Sequence, residues 1–174
     1  MLRLVTPHLF LDSVLELTAA RLRAEGRTGL LLDVDCTLKD YHDRHIRSAV
    51  IAWAAALRQD EMRLCLLSNG RAERIERLAQ TLRIPFVARA LKPLPYGCRS
   101  ALRTLELRPE QTAIVGDQLF ADVLAGRLAG LFTILVRPTS PAEPLWTRIK
   151  RPLERRVLRR ITRRNGIASP ILTH

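Results

Sequence analysis

The chain has 174 residues and a net charge of +12, with 47% hydrophobic, 26% charged and 5% aromatic residues. That is enough for one domain with a real core, too short for two ordinary ones, and globular rather than disordered in composition. No apolar run approaches a membrane span, the early apolar stretch is cut by Asp12 and Glu16 and is no secretory signal, and Cys36, Cys65 and Cys98 are too few and scattered for a disulfide framework or a zinc site. The expected compartment is a reducing cytoplasm.

Residues 9–25 place Leu11, Val14, Leu15, Leu17, Ala19 and Leu22 at mostly helical intervals before Gly26, which predicts a helix. GLLLD at 29–33 is a short apolar run without alternation, as in a strand covered on both faces. Helix and strand then alternate: helix 47–59, strand 63–67, helix 71–82, a weak strand 84–88, helix 95–107, strand 112–115, helix 119–129 and strand 131–136. Five strands alternating with helices imply an α/β fold, a Rossmann-like parallel sheet with helices on both faces. The expected organisation is an N-terminal helical segment over 1–28, a core over 29–140 and a basic amphipathic segment over 141–174.

In such sheets reactive groups sit just past the carboxyl ends of strands. Asp33 and Asp35 follow the first strand, Ser68 and Asn69 the second, and Asp117 with Asp122 the fourth. Two carboxylates at the Asp33/Asp35 spacing also fit a polar loop with capping groups, but four carboxylates at two strand ends would make a hard-cation site, and Mg²⁺ favours one or two carboxylates plus phosphate and water. Ser68 and Asn69 read first as an N-cap with a turn, though a hydroxyl, an amide and backbone N–H groups ahead of a helix also suit a phosphate oxygen. Lys92 is one of three lysines in a chain otherwise served by arginine. It is either a compact point charge in a site or a solvated residue before Pro93.

Taken in order, DVDCTL at 33–38, Ser68, Lys92 and GDQLFAD at 116–122 resemble the four signatures of the haloacid dehalogenase-like (HAD) phosphohydrolases. Over nearly the whole chain, Ser-Asn with Arg74, Lys92-Pro93, VGDQLFADVLAGRLAG, TILVRP and TRIKRPLERRVL resemble the YqeG family of subfamily IIIA, related to phosphatidylglycerophosphate phosphatases. The resemblance implies a HAD-like fold, with Asp33 as the nucleophile taking the phosphoryl group and Asp35 as acid and then base. It implies Ser68 and Lys92 at the phosphoryl oxygens, beside the Asn69 amide already read as a substrate-binding candidate, and Mg²⁺ held by Asp33, the Asp35 carbonyl and Asp117 with Asp122 in support. The sequence departs from the family pattern at Cys36, Gly70 and Ala121, none of which removes a proposed catalytic group.

Only 32 residues separate Asp35 from Ser68, and 23 separate Ser68 from Lys92, so no inserted cap domain fits. An open site favours phosphate carried on something large. Residues 137–174 hold ten basic and two acidic residues. In a helix starting near Pro152, Leu153, Val157, Leu158 and Ile161 share one arc, opposite Arg155, Arg156, Arg159, Arg160 and Arg163. Such a helix serves either as a membrane-surface element or as a docked helix with a solvated basic face. The expected partner is a phosphorylated lipid, with peripheral contact to the inner face of an anionic membrane. The alternatives are a nucleic-acid end or protein phosphatase, or a non-catalytic RNA- or ribosome-binding factor. Against nucleic acid, no aromatic-rich stacking surface is apparent in the sequence.

Overall fold

The computed structural model describes residues 2–140, 152–154, 156–161 and 163. Six parallel strands form one open sheet in the order β1-β6-β5-β2-β3-β4. They are β1 (Leu9–Leu11), β2 (Gly29–Leu32), β3 (Arg63–Leu67), β4 (Phe86–Val87), β5 (Thr112–Gly116) and β6 (Phe132–Val136). β2 is buried at all four positions, which explains its unbroken apolar sequence. Successive side chains take opposite faces: Leu30 and Leu32 join one core with Val50, Ala54, Ile75 and Leu78, while Leu31 joins another with Cys98, Ala101, Leu102 and Leu105. Thus α3 (Ser48–Gln59) and α4 (Ala72–Leu82) cover one face and α5 (Tyr96–Leu105) the other. The fold is the α/β sheet expected, and between Asp35 and Ser68 there is only a loop, one helix and one strand.

The first stretch differs from expectation. Residues 9–25 are not one helix: Leu9–Leu11 pair in parallel with Ile134–Val136 as an edge strand, Val14–Glu16 form a 3₁₀ turn, and the helix α2 (Ala19–Ala24) begins only at Ala19. Two caps interrupt the predicted helix. Ser13 and Glu16 make a capping box, and Thr18 Oγ1 accepts from the N–H of Arg21. Leu11, Val14, Leu17 and Leu22 are all buried, so helical spacing arose from a strand, a turn and a helix that each face the core. The short α1 (Leu2–Val5) precedes them.

Register sets up the site. Leu32 pairs with Leu66 and with Val115, so the carboxyl ends of β2, β3 and β5 lie level. Past β5, a π-helical turn (Leu119–Val123) leads into α6 (Leu124–Leu128). The described residues of 152–163 are helical. Leu158 and Ile161 are buried, Val157 is half-buried, and Leu158 and Val157 pack with Leu119, Val123 and Leu135. Arg156, Arg159, Arg160 and Arg163 are exposed, whereas Leu153, expected on the apolar arc, is 56% exposed. Glu154 is buried, and its carboxylate accepts from the Phe120 N–H at 3.1 Å, which fixes the helix beside the end of β5. The Arg155 part of the basic-face expectation, and the rest of segment 141–174, lie outside the described residues.

Gly126 lets α6 lie on the sheet: a Cβ there would collide with Ile114 Cγ2 and sit 2.7 Å from Thr133 Cγ2. Gly126→Ala should therefore destabilise the fold by about 1–3 kcal/mol through overpacking. An unchanged urea midpoint would contradict this packing.

Candidate active site

Asp33 leaves the end of β2, Asp117 follows β5, and Asp122 sits in the π-helical turn; one oxygen from each lies within 4.8 Å of the others. All three are buried. Lys92 comes from the loop after β4 and is 8% exposed. Its ammonium donates to Asp33 Oδ1 at 2.6 Å, to Asp122 Oδ1 at 2.6 Å and to the Leu67 carbonyl at 2.9 Å. These three acceptors use its three N–H bonds. Burial works against a charged Lys92, but Asp122 and Asp33 outweigh it and hold the lysine protonated well above its ordinary range. Burial and the charge of Asp122 push Asp33 up to about 7, against the pull of Lys92.

Four features keep this cluster in place. Thr37 donates to Asp33 Oδ2 at 3.0 Å and lies 3.4 Å from Asp117 Oδ1. Gln118 N–H donates to Asp122 Oδ2 at 3.1 Å. Gly116 has no side chain because a Cβ would occupy the space of the Asp122 carboxylate. Asn69 Oδ1 accepts from the Lys92 N–H at 2.8 Å while Asn69 Nδ2 donates to the Lys92 carbonyl at 3.0 Å. Asn69 thus clamps the backbone that carries the lysine. Ser68 is buried, and its Oγ accepts from the Gly70 N–H at 3.1 Å, the turn-closing bond its position allowed.

Asp35 stands apart from the three clustered carboxylates. Arg74, from the first turn of α4, donates to both its oxygens at 2.7 and 2.6 Å, and Lys39 Nζ lies 3.2 Å from Oδ1. Burial opposes the charge, but the hydrogen bonds and charge of Arg74, with Lys39, hold the Asp35 carboxyl below its ordinary range. The loop folds back to allow this: Cys36 N–H bonds the Lys39 carbonyl at 2.8 Å, with Cys36 in left-handed backbone at φ 61°.

Sequence reasoning located Asp33, Asp35, Ser68, Asn69, Asp117 and Asp122 at strand ends and, through the family resemblance, Lys92 in the same site; the structure brings Asp33, Lys92, Asp117 and Asp122 into one cluster and turns the Asp35 carboxylate to Arg74. It did not find Thr37, Lys39 or Gly116. The only local signals were a hydroxyl inside the DVDCTL loop, a rare lysine directly after it, and a glycine directly before Asp117.

The donor set suits a hard divalent cation. Three buried oxygen donors meet with no nitrogen or sulfur donor among them, and burial together with the charge of Asp122 raises Asp33 in a way that a cation would relieve.

The sequence model of haloacid dehalogenase-like hydrolases matches residues 5–130. The probable phosphatase YqeG of Bacillus subtilis is 30% identical over 161 residues, covering 92% of this chain and 94% of the relative. The cobalt-bound deoxy-D-mannose-octulosonate 8-phosphate phosphatase of Haemophilus influenzae has the same fold, with a TM-score of 0.56, 19% identity and coverage of 74% of this chain and 76% of that one. The corresponding phosphatase of Moraxella catarrhalis, in complex with magnesium, phosphate and KDO, superposes with a TM-score of 0.52 at 14% identity over 68% of this chain and 82% of that one. The chain belongs to the haloacid dehalogenase-like hydrolases and is an enzyme. Within them it belongs with the YqeG-type phosphatases.

The raised Asp33 carboxyl has a consequence for stability. Between about pH 4 and pH 7 the metal-free folded state binds more protons at Asp33 than the unfolded chain does, so stability falls as pH rises through that window. Asp33→Asn should flatten that slope in urea unfolding of metal-free protein compared at pH 5 and pH 8. Equal slopes in wild type and variant would contradict the assignment.

Proposed function

We propose that this phosphatase is Mg²⁺-dependent and hydrolyses a phosphomonoester through an aspartyl-phosphate on Asp33, converting phosphatidylglycerophosphate to phosphatidylglycerol. The observation that carries this reading is the buried ammonium of Lys92, 2.6 Å from Asp33 and from Asp122 at the carboxyl end of the sheet. An anionic nucleophile and an anionic phosphate repel, and a fixed cation between buried carboxylates offsets that repulsion where charge develops.

In the first step an Asp33 oxygen forms a bond to phosphorus while the bond to the ester oxygen breaks, and the leaving oxygen takes a proton from Asp35. In the second, Asp35 takes a proton from water, the water oxygen bonds to phosphorus and the Asp33–phosphorus bond breaks. The Asp35–Arg74 pair favours the ionised carboxyl, the form needed to take the proton from water. For the first step Asp35 must carry a proton and so must loosen from Arg74. Ser68 and Lys92 orient the phosphoryl oxygens, and Asn69 acts through its clamp on Lys92. Asp33, Asp117, the Asp35 carbonyl and, in support, Asp122 would hold Mg²⁺, which supplies charge neutralisation at the phosphoryl group.

The lipid assignment rests on the YqeG resemblance, on the absence of an inserted cap and on the exposed arginines at 156, 159, 160 and 163. No helix among the described residues is long and apolar enough to cross a membrane. A cytoplasmic protein bound peripherally to an anionic inner membrane face fits these features.

Asp33→Asn should lower phosphate release from phosphatidylglycerophosphate in mixed micelles by several orders of magnitude while circular dichroism stays unchanged, and chelator should silence the wild type until Mg²⁺ is restored. Near-normal turnover by the variant would rule out the covalent route, and turnover by chelated enzyme would rule out the metal. A 3′-phosphorylated oligonucleotide hydrolysed faster than the lipid would move the substrate to nucleic-acid ends.

Reversing Arg156, Arg159 and Arg160 to Glu should weaken co-sedimentation with anionic vesicles and leave a small soluble phosphomonoester hydrolysed normally. The loss should shrink at high salt, because surface attraction is screened beyond ~8 Å at physiological ionic strength. Equal vesicle binding by wild type and variant would limit the helix to a structural role.

A further inference from the structure

Lys92 is buried, yet the residues around it are among the most exposed apolar side chains of the described residues. Leu91 is 61% exposed, Leu94 48% and Tyr96 60%, and Pro93 between them is also exposed. This is a built edge, tied to the site by main-chain bonds. Arg89 N–H donates to the Gly70 carbonyl at 3.1 Å, Ala90 N–H to the Ser68 carbonyl at 3.0 Å, and Leu94 N–H to the Leu91 carbonyl at 2.9 Å. The Asn69 clamp on Lys92 lies between them. Arg89 and Leu91 both hold left-handed backbone, at φ 48° and 57°, a conformation that a leucine adopts only where its surroundings impose it. Behind the edge, Gly97 lets α5 start against Ala90, since a Cβ there would sit 2.6 Å from the Ala90 carbonyl oxygen.

From Arg77 to Leu105 every charged residue is basic, and Arg71, Arg89 and Arg99 are exposed near the edge. We propose that Leu91, Leu94 and Tyr96 form a lip that inserts into the surface of an anionic bilayer, so that a lipid phosphate meets Lys92 and Asp33 without leaving the membrane. Two leucines, a tyrosine with a polar tip and flanking arginines are the composition of an interfacial element. The position selects the occupant. A protein seated on this lip would lie against the route to Lys92, whereas a bilayer covers the lip and delivers substrate together. The choice of lipid as substrate rests on the function proposed above; the docking of the lip to an anionic surface is tested apart from it.

The test uses full-length protein and vesicles of phosphatidylglycerol and phosphatidylcholine. The variant Leu91→Ser/Leu94→Ser/Tyr96→Ser should lose vesicle binding by about tenfold or more, at low and at high salt, because apolar burial is not screened. It should still hydrolyse p-nitrophenyl phosphate within about twofold of wild type, since it changes only exposed positions. Leu94→Ser alone, with a smaller loss, serves if the triple variant folds poorly. Tryptophan emission of Leu94→Trp should shift to the blue on vesicle addition. Wild-type vesicle binding by the triple variant, or no emission change at saturating vesicle, overturns the inference. So does a variant that changes from dimer to monomer with vesicle binding intact, which would make the lip a self-association face. Failure of wild type to hydrolyse phosphatidylglycerophosphate, with the binding loss intact, refutes the lipid substrate and leaves the lip supported.

Discussion

Lys92 is a charge that water would welcome and the protein interior would not, and its burial is tolerated because three acceptors replace the water it gives up. The cost is shared. Asp33 and Asp122 repel each other across the same space, and the lysine between them makes that proximity tolerable. Most of the surrounding architecture serves this arrangement. Level strand ends bring Asp33 beside Asp117, Gly116 opens room for Asp122, Asn69 grips the lysine's backbone, and Thr37 bonds Asp33. Removing the lysine alone would leave two buried carboxylates facing each other, a larger loss than one hydrogen bond.

Much of this was legible in the sequence for a physical reason. Strands covered on both faces must be apolar where they are buried, so GLLL and the runs LCLL and AIV mark themselves, and polar groups directly after them must lie at strand ends. What the sequence hid depends on contacts between distant residues. Asp35 and Arg74 are 39 positions apart, and nothing local says that the aspartate turns to that guanidinium. Glu154 caps the turn at Phe120 from 34 positions away. The residues of β1 look helical because a strand, a turn and a helix in succession bury Leu11, Val14, Leu17 and Leu22 toward one core. Only the capping groups Ser13 and Thr18, inside the apparent helix, carry the signal that it is broken.

The same docking that buries Leu158 and Ile161 leaves Arg156, Arg159, Arg160 and Arg163 exposed, so a packed helix and a basic surface are one element rather than alternatives. Glu154 joins that element to the turn that carries Asp122, through Phe120. Toward the opposite edge of the sheet the loop after β4 carries Lys92 inward and Leu91, Leu94 and Tyr96 outward. The groups that meet at the reactive end are themselves buried, and the apolar side chains of the loop after β4 are exposed beside Lys92.

The central claim is that Asp33 receives the phosphoryl group. Acid-quenched enzyme, taken during turnover and digested for mass spectrometry, tests it directly. The account predicts the mass of one phosphoryl group on the peptide containing Asp33, lost on hydroxylamine treatment as an acyl phosphate should be and absent in Asp33→Asn. A phosphorylated residue elsewhere, or continued turnover by Asp33→Asn with no acyl phosphate at any residue, would contradict it.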